Sequence, residues 1–99
     1  MAHHRYRITV EPLADDTSSD AAASALHFEV ANHDDILHVV ERLRARADLP
    51  PDTAPALGVG LKLFGEVLLE HRTHPLFREL YPHFGEFMRT LKGKGGGAG

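Results

Sequence analysis

No cysteine occurs anywhere in the 99 residues. That excludes disulfides, thiolate metal sites and thiol nucleophiles outright. No apolar run resembles a membrane span, which needs about 20 such residues. The opening segment, Met1 to Val10, alternates charged and apolar residues instead of presenting the continuous apolar core of a signal peptide. A cytoplasmic location is the expectation that follows. A basic excess is missing as well: residues 1–52 hold ten acids against five Lys/Arg, and residues 53–99 hold four against six. With a net charge of −3, the chain lacks the footprint of a nucleic-acid binder.

What is present fits a soluble globular protein, with 42% apolar and 25% charged residues. One domain over residues 1–92 is expected, followed by a flexible glycine-rich tail over 93–99. Eight histidines are many for this length, so the charge should rise as pH falls from 7 to 5.5.

The densest apolar stretch is PALGVGLKLFGEVLLEHR, Pro55 to Arg72. Its apolar residues point in nearly every direction around a helical wheel, which predicts a helix covered from at least two sides. Lys62, Glu66 and Glu70 fall at i, i+4 and i+8 and draw one narrow polar stripe, so Lys62 and Glu66 are expected to be wet and Phe64 and Leu68 buried. Gly58, Gly60 and Gly65 each cost about 1 kcal/mol in a helix interior. Gly58 and Gly65 lie seven apart, which predicts close approach of another element there.

Before this helix, RYRITVEPL alternates strictly, with Tyr6, Ile8 and Val10 on one face, and reads as a half-buried strand ended by Pro12. Ala14 to Ser24 reads as a mobile connection. Leu26, Phe28 and Val30 alternate in a second strand. An antiparallel hairpin follows, with Arg5 and Arg7 facing Glu29 and His27 across its wet side. Asn32-His33-Asp34-Asp35 then opens a helix, with Asn32 as N-cap and Asp35 returning the bond. Ile36, Val39, Val40 and Leu43 form its apolar stripe, and Pro50-Pro51 stops it. Asp52 or Thr53 caps the central helix, with Pro55 in its first turn. Pro75 begins a third helical region, which Pro82 is expected to break into segments 75–80 and 82–92.

HRYRITVE, FEVANHDDILHVVERL and LGVGLKLFGEVLLEHRTHPLFREL followed by PHFGEFMRTLK resemble a family of small single-domain bacterial proteins known mainly as a domain of unknown function. The resemblance covers almost the whole chain apart from residues 13–24, the 47–55 linker and the tail. It implies a compact α+β domain of bacterial origin. It carries no activity, substrate or catalytic residue.

Two polar clusters are candidates for chemistry. His33, Asp34, Asp35 and His38 form the first, in which Asp34 and His38 at i and i+4 have a spacing that suits a divalent metal. The competing reading is a capped helix start with His38 on the surface, and two ligands do not close a metal site. Glu70, His71 and His74 form the second, a candidate general base or ligand pair beside Pro75. Its competing reading is a solvated helix end whose histidines meet free carbonyls. Gly58-Val59-Gly60…Gly65 resembles a phosphate loop only superficially: it follows no strand, and Lys62 precedes Leu63 where a Ser or Thr is needed. Arg5 and Arg7 flank Tyr6, but Tyr6 points to the opposite face, so no base-stacking platform forms. Ser18, Ser19 and Ser24 lie in the connection, without a nucleophile elbow.

The expected fold is therefore α+β, ordered β-β-α-α-α, with the central helix packed among the hairpin, the first helix and the C-terminal segments. The expected function is a non-catalytic interaction or regulatory module, acting as a homodimer or on another protein, with no cofactor. The alternative is a ligand- or metal-binding protein, or an enzyme, that uses His33/Asp34/His38 or Glu70/His71/His74. A helical pocket holding histidines would favour the alternative, and a large apolar patch would favour the module.

Overall fold

The computed structural model describes residues 3–13 and 25–94, so the expected connection over 14–24 and the last five residues of the tail lie outside it. The chain divides into two compact units, Met1–His33 and Asp34–Gly99. The element order is a two-stranded antiparallel hairpin followed by helices, an α+β fold.

In the first unit, β1 (His4–Val10) pairs with β2 (Leu26–Asn32). Their register sets Tyr6 against Val30, Ile8 against Phe28 and Val10 against Leu26, so the apolar alternation of both strands shares one face. On the other face Arg5 and Arg7 both reach Glu29, at 3.0 and 3.5 Å, while His27 meets Thr9 at 3.3 Å. These charges are well exposed, so each pair contributes at most about 1 kcal/mol.

In the second unit, α1 spans Ile36–Arg44 and a single 3₁₀ turn, Pro51–Thr53, leads into α2, Ala54–Glu70. The start of α1 is three residues later than the sequence predicts. Asp35 is the N-cap, and its Oδ1 accepts from the N–H groups of Leu37 and His38 at 3.1 and 3.3 Å. Asn32 instead ends β2 and is buried. Thr53 precedes α2 without a side-chain cap.

The rotation of α2 also corrects the sequence reading. Leu68 is fully buried as expected, but Phe64 is 40% exposed, while the Lys62 side chain is only 16% exposed. The inward stripe consists of Ala54, Gly58 and Leu68 with half-buried Leu61 and Gly65. Small residues dominate it because neighbours come very close. A methyl group on Gly58 would sit 2.8 Å from Val40 Cγ2, and one on Gly65 would sit 3.3 Å from the Phe84 ring. The core gathers Val40, Leu43 and Ala54, with Val39, Leu57, Val59 and Leu91 packed against them.

The third helical region divides into α3, Pro75–Arg78, and α4, Leu80–Lys94. The break falls at Glu79, and Pro82 lies in the first turn of α4. There its missing N–H is one of those that would have no helical partner anyway. α4 then runs through Gly93 and Lys94, two residues beyond the predicted end.

Candidate functional site

The second unit contains a groove of about 190 Å³. One wall is α1, whose His38, Val39, Arg42 and Leu43 recur at helical spacing along one face, preceded by the N-cap Asp35 and continued by Arg46 just past the helix end. Met88, Leu91 and Lys92 of α4 form the other wall, and Lys62 of α2 with Asp34 closes an end. Apolar groups therefore form its lining while charges ring it.

The charges are unequally engaged. Lys62 Nζ donates to Asp34 Oδ2 at 2.5 Å. Arg46 makes a two-pronged contact with Asp48, at 2.7 Å from Nε and 2.6 Å from Nη2. Its third donor, Nη1, reaches the carbonyl oxygen of Leu91 at 2.6 Å, and its side chain is only 9% exposed. Hydrogen bonding within the pair holds the Asp48 carboxyl below the usual carboxylate range and raises the Arg46 guanidinium further. Arg42 and Lys92, both exposed, make no side-chain hydrogen bond or ion pair among the described residues.

The two clusters singled out in the sequence are arranged differently from the spacing argument. Asp34 precedes the cap of α1, so Asp34 and His38 are not an i, i+4 pair on one helix. Both nevertheless line the groove. His33 belongs to the first unit, where its ring lies 4.6 Å from that of His3. In the other cluster Glu70 ends α2, and His74 caps α3, its Nδ1 accepting from the Leu76 N–H at 3.0 Å. His71 and His74 lean against Phe77 with ring centroids 6.4 and 5.9 Å away. Among the described residues, no group of three or more His, Asp or Glu side chains is placed to hold a metal ion.

A second surface centres on Phe64. Its ring meets Phe84 edge-on at 5.6 Å and Phe77 at 6.5 Å. Val67 follows one turn along α2 and is 45% exposed. Leu80 and Phe87 lie either side of Phe84 on one stripe of α4, 42% and 48% exposed, and Leu76 beside Phe77 is 73% exposed. Apolar side chains left this open are unusual for a core-facing helical stripe.

Residues 4–93 match the family described as a domain of unknown function with a solved structure, DUF3861. The chain belongs to the DUF3861 family. A crystal structure of a protein of unknown function from the bacterium Pectobacterium atrosepticum is similar, with 38% identity and a TM-score of 0.78, covering 92% of this chain and 98% of that one. No curated protein matches the sequence. No helix among the described residues is long and apolar enough to cross a membrane.

For this DUF3861 chain, sequence reasoning placed Asp34 and His38 among the candidates but missed Arg42, Arg46 and Lys92 as groove residues. The signal for Arg42 was present in the periodicity of α1, where positions 35, 38, 39, 42 and 43 share a face. The contribution of α4 was not, because no local pattern specifies which helix lies across α1.

Proposed function

We propose that this DUF3861 domain is a cytoplasmic, non-catalytic interaction or regulatory module that works as a symmetric homodimer joined through the Phe64 face. The observation that carries the reading is the apolar surface on α2, α3 and α4. Phe64, Val67, Leu76, Leu80 and Phe87 together expose roughly 400–500 Å², at the upper end of what a monomer leaves open. A stable two-fold interface needs about 800 Å² per partner, with an apolar centre and a polar rim. The patch has the size of such a centre, and the exposed polar residues Glu70 and His83 on the same helices, with His71 just past α2, suit a rim. A second copy is the occupant because an isologous contact pairs the patch with itself. The non-catalytic part is supported by the engagement of the candidate acids and bases, with Asp34 on Lys62 and Asp35 and His74 in caps.

Sedimentation equilibrium at micromolar concentration tests this. The expected species has twice the 10.9 kDa chain mass, and Phe64→Glu is expected to halve it with an unchanged helical circular dichroism spectrum. A wild-type chain that sediments at 10.9 kDa would overturn the homodimer. A dimer indifferent to Phe64→Glu and Phe87→Glu would overturn the choice of face and move the seam to the edge of β1.

A further inference from the structure

The groove between α1 and α4 combines two features that the fold itself does not use. Its lining is apolar, with Val39 and Leu43 from one side and Met88 and Leu91 from the other. Its volume, about 190 Å³, compares with the roughly 150 Å³ apolar cavity that accommodates benzene. The body that fits is therefore one small ring or a chain of about six carbons.

The rim supplies the second feature. Four cations line the groove, and two of them are consumed internally: Lys62 by Asp34, and Arg46 by Asp48 and the Leu91 carbonyl. Arg42 from α1 and Lys92 from α4 have no such partner among the described residues, and they stand on opposite walls of the groove. A negative group between them would gain charge-assisted hydrogen bonds, bidentate at the Arg42 fork. Asp34 and Asp35 line the same groove and oppose a second negative charge, which favours a monoanion over a phosphate dianion.

We infer that this groove binds a small carboxylate with an apolar body of about six carbons, the body lying on Val39, Leu43, Met88 and Leu91 and the carboxylate held by Arg42 and Lys92. The site needs residues of the second unit only and does not depend on self-association.

Amide-resolved NMR titration of the full chain tests it, with hexanoate as probe and 1-hexanol and hexylamine as neutral and cationic comparators. Hexanoate is expected to saturate in the low millimolar range, as its eight heavy atoms allow, and to shift the amides of His38, Val39, Arg42, Leu43 and Leu91. Hexanol should bind about tenfold more weakly, having lost the charge-assisted bonds, and hexylamine more weakly still. The double variant Arg42→Gln/Lys92→Gln alters two exposed side chains and should keep its circular dichroism spectrum. It is expected to weaken hexanoate by about tenfold and to abolish the preference over hexanol. Absence of saturable shifts, equal binding of hexanol and hexanoate, or undiminished hexanoate binding by the double variant would each overturn the site.

Discussion

The guanidinium of Arg46 donates from Nη1 to the carbonyl oxygen of Leu91 at 2.6 Å, across 45 residues of sequence. Leu91 is the first of the last four residues of α4, so its carbonyl has no donor within the helix. A cation there also faces the negative pole of the helix. The same guanidinium grips Asp48, so the loop leaving α1 is clamped to the last turn of α4.

Arg46→Ala is therefore expected to lower Tm by several degrees. Arg46→Lys should recover only part of the loss, because an ammonium cannot serve a carboxylate and a carbonyl in one planar fork. Thermal circular dichroism would check this, and an Arg46→Ala variant melting with the wild type would refute the clamp.

The clamp carries a pH dependence of definite sign. The Asp48 carboxyl is held below its ordinary range by its hydrogen bonds to Arg46, so it binds protons less readily folded than unfolded. The stability it contributes is fully present above about pH 4, the unfolded carboxylate value, and is lost as pH falls through the lower folded one. The Tm difference between wild type and Asp48→Asn should therefore be constant near neutrality and shrink below about pH 4. A difference that grew on acidification would contradict the pairing. The raised Arg46 value lies in the alkaline range and has no effect near neutrality.

Lys62 offers a second contrast. Its stem is largely covered and its ammonium meets Asp34, whose side chain is 48% exposed. Solvent screening limits the ion pair to about 1 kcal/mol, and loss of the packed stem adds a comparable amount. Lys62→Ala is expected to cost about 1–2 kcal/mol, and Lys62→Met, which keeps the stem, about half of that. Urea denaturation would measure both. Lys62→Ala at wild-type stability would mean that the side chain is wet after all.

The three glycines of α2 should respond differently to alanine. Gly60 has open space around it, so Gly60→Ala should stabilise by about 1 kcal/mol through propensity alone. At Gly58 the new methyl would meet Val40 Cγ2 at 2.8 Å and the Val40 backbone at 3.4 Å. Val40 is buried and β-branched, with one favoured rotamer in a helix, so it cannot yield. Gly58→Ala should be net destabilising by about 1–2 kcal/mol. At Gly65 only the edge of the Phe84 ring is close, at 3.3 and 3.4 Å, and that ring is half-buried. Gly65→Ala should fall between the other two, and a different rank order in denaturation midpoints would show that α1 and α4 approach α2 otherwise.

Much of this architecture is written locally. Strict alternation in Arg5 to Val10 and in Leu26 to Val30 specifies both strands, because successive side chains of a strand must face opposite ways. Pro51 and Pro75 each open a helical turn, through a missing N–H and fixed φ, whereas α1 ends at Arg44, before the Pro50-Pro51 pair expected to stop it. The seven-residue spacing of Gly58 and Gly65 places both on one stripe, where close neighbours offset the cost of glycine in a helix, whereas Gly60 on another face has none.

What the sequence could not decide was which way α2 turns. With apolar groups on nearly all sides, many rotations bury similar area, and the choice falls to whatever packs closest. The structure puts Gly58 and Gly65 inward and leaves Gly60 and Phe64 at the surface. The cap of α1 was equally ambiguous, since Asn32 and Asp35 are both good caps, and inclusion of Asn32 in β2 moved the helix start to Asp35. The groove itself, and the clamp from Arg46 to Leu91, depend on α4 crossing the end of α1. That is a contact between residues 45 apart, set by the packing of whole helices and by no pattern within either one.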